Sequence, residues 1–322
     1  MRVAVLSGGR SSEHEISLES GASVAQGLRD AGHDVVPVLL ERDGRWTHDG
    51  RDVELRAGGG LLDADVAFPV LHGPFGEDGT VQGLLECLDV PYAGPGVLAA
   101  AISIDKLTFK RLLAFHGIPQ VDFCEAGEDG WREHVVAMGK PVWVKPARLG
   151  SSVGITKVTS PERPLDEAVE AARAYDPRVI IEANGGGKEV ECSVMGNDDP
   201  IASPPGEIVA HADWYDFEAK YSEGGMDLVV PARIGEDGIE RVRELATRVF
   251  RIIDGSGLAR CDFFVRNDGE VLVNELNTIP GFTATSVFAK LFEADGIPYP
   301  ELCERLVGYA LERYEAQHRY RF

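Results

Sequence analysis

The sequence predicts a mixed chain, α/β and then α+β: an amino-terminal domain built on a small parallel sheet, followed by two further regions that combine strands and helices. Three observations carry this. The chain opens strand, helix, strand; its middle alternates apolar strands with amphipathic helices; and its last third pairs a long periodic helix with a strand–Asp-Gly–strand hairpin. At 322 residues it is long enough for two or three domains of roughly 100–200 residues, each with its own core.

The first strand is read at Val3 to Leu6, followed by a Gly8-Gly9 turn and a helix from about Ser17 to Ala31 that Gly32 closes. A second strand at Val35 to Leu40 completes a βαβ unit, which demands parallel pairing. A third apolar strand, Val66 to Leu71, runs into the glycine-rich loop HGPFGEDG, and PYAGPG at 91–96 marks a boundary. The first domain is therefore set at 1–94.

A helix around Ile104 to Phe115 follows, with Phe109, Leu112 and Leu113 on one face and Gly117 as its stop. Strand Val142 to Lys145 leads into the loop ARLGSSVGI. Helix Pro161 to Tyr175 starts at a Ser160-Pro161 cap and buries Leu165, Ala168, Val169 and Ala172. Strand Val179 to Glu182 ends this central region, 95–181. The carboxy-terminal region, 182–322, holds strands Val190 to Met195, Leu258 to Val265 and Val271 to Leu276. Its helix puts Ile239, Val242, Leu245, Ala246, Val249, Ile252 and Ile253 on one face. Between them, 202–230 shows no periodicity and reads as a functional flap or a poorly ordered loop.

Thirty-two Lys and Arg against 53 Asp and Glu give a net charge of −21. That argues against general nucleic-acid or anionic-membrane binding, which selects basic surfaces, but leaves a nucleotide open because a few local cations suffice. The five cysteines form no CxxC and read as reduced thiols. MRVAVLSGG is too short for a signal h-region, and no run approaches 18 apolar residues, so a cytoplasmic location is expected.

The hairpin LARCDFFVRNDGEVLVNELN carries the strongest chemical clue. A two-residue Asp268-Gly269 loop sets Asn267 against Glu270, hence Asp262 against Glu275 and Arg260 against Asn277. Period two then places Arg260, Asp262, Glu275 and Asn277 on one face, with Cys261, Phe263, Leu272 and Leu276 on the other. Opposed carboxylates destabilise a sheet unless positive charge lies between them. A hard cation with oxygen ligands, magnesium shared with phosphates, is one occupant; Arg260 neutralising the acids on a solvent-facing hairpin is the other.

Lys145 ends a strand just before Gly150-Ser151-Ser152-Val153-Gly154, a small-residue loop able to bring N–H groups against phosphate. The spacing matches neither Walker A nor GxGxxG, so an ordinary turn with a surface lysine stays open. Likewise, Glu13 or Glu15 in SGGRSSEHEISLESG stands where parallel sheets bind ligands and could receive an ammonium, or Ser11, Ser12 or Ser17 could simply cap the next helix. His72 reaches the same edge, ahead of its glycine-rich loop.

Taken in order, GGRSSEHEISLESG, LHGPFGEDGTVQG, the SIDK ending in Lys106, VKPARLGSSVG, EVECSV, YDFEAKY, RCDFFV and NELNTIPGFT resemble the D-alanine–D-alanine ligases of the ATP-grasp superfamily over nearly the whole chain. The resemblance implies a two-part ATP-grasp fold after the first domain, and formation of D-alanyl-D-alanine, ADP and phosphate through an acylphosphate, for peptidoglycan precursors. It further implies that Glu13 holds the first D-alanine's ammonium, linked to Ser151 and Tyr221, with His72 orienting that substrate. Lys106, Lys145 and Lys220 would hold phosphates; Ser151 and Ser152 would cover them; Glu182, Glu189 and Asn274 would make the remaining nucleotide contacts. Asp262, Glu275 and Asn277 resemble ligands for magnesium or manganese, two ions being expected and a monovalent cation possible. Arg260 and the Gly281 N–H would face the tetrahedral oxyanion, and Ser286 and the Val287 N–H the second carboxylate.

The resemblance also implies a homodimer through the amino-terminal domain, with no nucleic-acid or membrane partner. Two positions depart from the pattern: Ala183 replaces a lysine common beside the adenine, and Phe217 a frequent tyrosine. Tyr221 agrees with dipeptide-forming members rather than those making D-alanyl-D-lactate. Alternatives are another carboxylate–amine ligase of this fold, a nicotinamide-dependent oxidoreductase, whose fingerprint Leu6-Ser-Gly-Gly-Arg lacks, and a non-catalytic nucleotide binder. Gathered in one cleft, Lys106, Lys145, Lys220 and Arg260 with magnesium would reverse the outer negative sign locally.

Overall fold

In the computed structural model, residues 1–150, 153–159, 164–210 and 225–321 are described. The apolar run Arg2–Gly8 (β1) is covered on both faces because it is the inner strand of a parallel core, paired with Asp34–Leu40 (β2) and Val66–Pro69 (β5). Trp46–His48 (β3) and Arg51–Asp52 (β4) extend this sheet antiparallel beyond β2, giving the order β4-β3-β2-β1-β5.

The crossover helix His14–Asp30 (α1) begins three residues earlier than the apolar periodicity indicates, with Glu13 at its N-cap. Its serines do not cap it. The Ser17 hydroxyl accepts from the Gly8 N–H and donates to the Val70 carbonyl, while Ser11 donates to the His72 carbonyl. Those hydroxyls tie the loop after β1 to the end of β5 instead.

After Thr80–Leu88 (α2), the helix expected around Ile104 to Phe115 is Lys106–Phe115 (α4), and a further helix, Val97–Ile104 (α3), precedes it. Asp105 breaks them apart by leaving the helical region and accepting from the Thr108 N–H as the N-cap of α4. Phe123–Glu125 (β6), Val142–Pro146 (β7), Thr156–Val158 (β8) and Val179–Ala183 (β9) form an antiparallel sheet in the order β6-β9-β7-β8. Helices Trp131–Met138 (α5) and Leu165–Arg173 (α6) cover it. The stripe Ala168, Val169 and Ala172 is buried as expected, but α6 is shorter than 161–175, and the proposed Ser160-Pro161 cap lies outside the described residues.

The third sheet is antiparallel, β13-β12-β10-β14-β15, from Lys188–Gly196 (β10), Gly206–Ala210 (β12), Met226–Val229 (β13), Gly257–Val265 (β14) and Val271–Asn277 (β15), with Ile201–Ala202 (β11) also on β10. The expectation that 202–230 lacks periodic structure is corrected at both ends: β12 and β13 pair there, and Ile208 and Leu228 pack with Val287 and Leu291. Strands of four or five residues are too short to show alternation.

The hairpin holds a second correction. Its loop has three residues, Asn267 to Gly269, closed by the Arg266 N–H on the Glu270 carbonyl with Gly269 at φ +88°. That would shift every facing pair by one, but Asn274 bulges between Val273 and Glu275 and shifts the register back. Asp262 thus faces Glu275 and Arg260 faces Asn277, while Val271 and Val273, rather than Leu272, share the core with Phe263 and Leu276.

Gly235–Ile252 (α7) lays Val242, Leu245, Ala246, Val249 and Phe250 onto this sheet, together with Phe109 and Leu113 of α4. Leu107, two residues earlier, packs with Ala147 and Ile180 of the central sheet instead. Helix α4 is therefore wedged between the two sheets. After Val287–Ala294 (α8), the helix Tyr299–Gln317 (α9) returns to the amino-terminal sheet and buries Leu302, Cys303, Leu306 and Val307 with Val24, Ala25 and Leu28 of α1.

Candidate active site

Between the central and third sheets lies a cleft of ≈310 Å³ whose lining includes Lys106, Lys145, Glu182, Glu189, Asp262, Asn274 and Glu275. Strand period brings the acids there: Glu189 and Glu191 alternate along β10, and the register β10–β14 sets Glu191 against Asp262. Lysines arrive from the other side, Lys106 at the start of α4 and Lys145 near the end of β7. Helices and strands that are themselves packed thus fix both sets of charge.

Glu182 on β9 is almost fully buried, with one carboxylate oxygen 3.0 Å from Lys110 Nζ and the other 2.5 Å from Lys145 Nζ. Burial alone would raise its pKa, but the two ammonium groups outweigh that and bring it down to about 2. Burial works against Lys145 too, yet Glu182 and Glu275 outweigh it and hold its proton more tightly. Burial pulls the Lys110 ammonium below its ordinary value, against the attraction of Glu182. The Glu182 carboxylate is thus engaged by two lysines, whereas Glu189 lines the open cleft.

Lys106 Nζ donates to the Leu149 carbonyl at 2.7 Å and lies 3.6 Å from Glu275. Arg260 makes a two-pronged contact with Asp262, 2.7 and 2.8 Å, and an ion pair with Glu191 at 2.9 Å; Asn277 Nδ2 donates to Asp262 at 2.9 Å. Burial would lower the Arg260 pKa, but Asp262 and Glu191 reverse this and keep it cationic. Both sequence readings of the hairpin therefore meet in one place: the acids face each other and Arg260 is bound to one of them.

A divalent cation fits this donor set. Asp262 and Glu275 offer carboxylate oxygens and Asn277 an amide oxygen, its Nδ2 being engaged by Asp262, and no group of three or more His, Cys, Asp or Glu that could hold a metal ion occurs among the described residues. The cleft lining carries five carboxylates (Glu182, Glu189, Glu191, Asp262, Glu275) against three lysines (Lys106, Lys145, Lys157) among the described residues. Lys110 behind Glu182, and Arg260 bound to Asp262 and Glu191, bring these charges to balance, so the reversal expected of Lys106, Lys145, Lys220 and Arg260 with magnesium is left to the divalent ion and to Lys220, which lies outside the described residues.

A second cluster adjoins the cleft. A Cβ on Gly73 would stand 2.8 Å from Glu13 Oε2, closer than a side chain tolerates, and one on Gly150 would stand 3.8 Å from it, in ordinary contact, so both glycine backbones border that carboxylate. His72 is buried beside it, with Nδ1 3.0 Å from the Ile279 carbonyl and Nε2 3.1 Å from the Ser20 hydroxyl. Burial lowers the His72 pKa despite the nearby Glu13 charge, so the imidazole is neutral. Loops following β1, β5, β7 and β15 thus converge on one point.

Glu77 closes this cluster and was not singled out in the sequence. It accepts from the Gly73 N–H at 2.6 Å, and burial with the Glu13 charge pushes its pKa up to about 8. Its signal was present inside HGPFGEDG. Lys110 and Glu191 were missed as well; each follows a noted residue by one period, four along the helix from Lys106 and two along the strand from Glu189.

Beyond Ile279, Gly281 has open space where a Cβ would be. Ser286 precedes the first turn of α8 and donates to the Thr283 carbonyl, leaving Val287 as the first helical residue. Ser151, Ser152, Phe217, Lys220 and Tyr221 lie outside the described residues. No helix among the described residues is long and apolar enough to cross a membrane.

Comparison with known proteins identifies the family. Family models described as D-ala D-ala ligase N-terminus and C-terminus match residues 2–60 with 52–95, and 112–308. The D-alanine–D-alanine ligase of Deinococcus radiodurans is 47% identical, covering 97% of this chain and 98% of its own. The structure of the D-alanine–D-alanine ligase from Coxiella burnetii superposes with TM-score 0.89 at 32% identity, over 99% of this chain and 96% of that one. A D-Ala:D-Ser ligase from Enterococcus faecalis superposes with TM-score 0.85 at 31% identity, over 96% and 99%.

Proposed function

Because the chain belongs to the D-alanine–D-alanine ligase family and is an ATP-dependent ligase that joins two D-alanines, we propose that the cleft between its central and third sheets holds ATP and that the Glu13–His72 cluster holds the first D-alanine. The observation that carries this assignment is the meeting of Lys106, Lys145, Asp262 and Glu275 in one cleft whose edge reaches Glu13 through Leu149 and Gly150. The reaction proceeds through an acylphosphate, releases ADP and phosphate, and serves peptidoglycan precursor synthesis, as is standard for the family.

Glu13 receives the first substrate's ammonium, and neutral His72, fixed between Ser20 and Ile279, orients its carboxylate without competing for the charge. Lys106 and Lys145 neutralise phosphate oxygens as the substrate carboxylate attacks the γ-phosphorus and ADP leaves. Catalysis here is positioning and charge stabilisation. Asp262, Glu275 and Asn277 would hold magnesium or manganese, two ions in all, which supply further neutralisation of the phosphates; a monovalent cation is a further expectation. Glu189 and Asn274 face the nucleotide, and Glu182 acts through Lys145.

In the second half, the amine of the other D-alanine attacks the acyl carbon and phosphate leaves. Arg260 and the Gly281 N–H face the developing oxyanion, and Ser286 with the Val287 N–H, at the start of α8, receives the second carboxylate. Ser151, Ser152, Lys220 and Tyr221 would complete the site from outside the described residues and help exclude water from the acylphosphate. The boundaries 1–94, 95–181 and 182–322, a homodimer through the first of these, and a cytoplasmic location belong to the same reading.

ADP release tests it. Turnover is expected with D-alanine alone, and little stimulation by D-lactate or D-serine as second substrate. Absence of turnover with D-alanine alone, alongside turnover with D-alanine plus either of the others, overturns the assignment.

A further inference from the structure

Helical spacing places Lys110 one turn after Lys106 on α4, the helix wedged between the two sheets that form the cleft. Lys110 is 1% exposed and is not part of the cleft lining, whereas Lys145 is. Both approach the same carboxylate from opposite sides: Lys110 at one oxygen of Glu182, Lys145 at the other. The Lys110 ammonium also lies 5.8 Å above the Phe123 ring.

Charge arithmetic gives this arrangement a meaning. A Lys145–Glu182 pair alone sums to zero and presents little field to a phosphate. With Lys110 included the triad sums to +1, and the member that reaches the cleft is the lysine. A lone buried lysine is costly, so Lys110 in this position requires Glu182, and Glu182 in turn fixes the rotamer of Lys145. Glu275 also attracts the Lys110 ammonium, but it lies in the cleft lining and is itself 3.6 Å from Lys106.

We propose that Lys110 is a positioning residue for nucleotide phosphate: it takes up the charge of Glu182, so that Lys145 is held rigidly by a carboxylate without being neutralised by it. The proposal rests on the reading of this cleft as the ATP site and adds a residue that never touches the nucleotide.

Equilibrium binding of ADP and of adenosine, each with magnesium, tests it on the full chain. Wild type must bind ADP more tightly than adenosine; if it does not, the ATP-site reading fails before Lys110 is at issue. In Lys110→Met, ADP affinity is expected to fall roughly tenfold or more, with adenosine affinity unchanged, because only the phosphates feel the missing charge. Lys110→Arg should keep ADP affinity. In the double variant Lys110→Met/Glu182→Gln, which leaves Lys145 as a lone cation, the ratio of ADP to adenosine affinity should return to within about threefold of wild type, any contact of Glu182 with the nucleoside cancelling in that ratio. Should the Met variant not fold, Lys110→Gln carries the same expectation. Unchanged ADP affinity in the neutral variants, equal losses for ADP and adenosine, or a double variant no better than the single one each overturns the proposal.

Discussion

Replacing Glu182 by glutamine removes one charge and no volume, and the structure sets the size of the effect. Its pKa is brought to about 2 against 4.5 for an ordinary glutamate, a difference of about 2.5 units. At about 1.36 kcal/mol per unit this corresponds to roughly 3 kcal/mol of stability, the low end of what stripping one partner from a buried pair costs. Because the folded-state value is depressed, the contribution is fully present above about pH 4.5 and is lost as pH falls toward about 2. Urea unfolding of wild type and Glu182→Gln at pH 7 and in an acid series reads both features. A gap below about 0.5 kcal/mol at pH 7 would refute the reasoning, as would a gap that persists unchanged at pH 3, where Glu182 in the unfolded wild type is already protonated.

Two further perturbations probe the neighbouring clusters. Glu275→Ala should leave a folded protein, since its side chain is a quarter exposed, and lower kcat by about 100-fold or more; activity within a few fold of wild type counts against the metal assignment. Glu77 has the opposite linkage to Glu182: with its pKa raised from 4.5 to about 8, the native state holds a proton that the unfolded chain has lost, so stability falls as pH rises between those values. Glu77→Gln should therefore reduce the drop in Tm between pH 6.5 and pH 8.5, the titration of unfolded His72 being common to both proteins; identical slopes in the two proteins would dismiss the raised value.

The parts of the fold legible in the sequence were those fixed by local rules. Short apolar runs bounded by turn residues revealed β1 and β2, apolar-rich stretches revealed β10 and β14, and the i, i+3, i+4 stripe revealed α7, because a buried face must repeat with the geometry of its own backbone. Less legible were features decided by more distant partners. The facing of Asp262 and Glu275 was read from a two-residue loop, yet it arises from a three-residue loop and a bulge at Asn274 that cancel. A count along one strand cannot contain that pair of opposing shifts.

In the site, Lys106, Lys145, Glu182, Glu189, Asp262 and Glu275 of the cleft lining could be anticipated because each belongs to a recognisable motif, whereas Glu191 and Lys157 in the same lining were not. The arrangement behind it could not. Lys110 reads as one more charge on an amphipathic helix until α4 is placed between two sheets, and only then does burial turn it into a partner for Glu182. His72 was flagged by its place before a glycine-rich loop, but its fixation by the Ile279 carbonyl spans 207 positions of chain.

The return of α9 to the amino-terminal sheet has a consequence for the birth of the molecule on the ribosome. Val24, Ala25 and Leu28 are covered by Leu302, Cys303, Leu306 and Val307, so the strand–helix–strand unit, made well before that helix, leaves the ribosome with an apolar flank bare. Roughly 230 residues separate the end of that sheet at Pro69 from its cover at Tyr299, a delay of roughly 12–46 s at synthesis rates of about 5–20 residues per second. Arg313 then fastens the late helix by donating to the Tyr92 and Gly94 carbonyls and to the Ser256 hydroxyl. The nascent chain must pass that interval with its first helix half covered, which makes this flank the natural place for a chaperone to hold it.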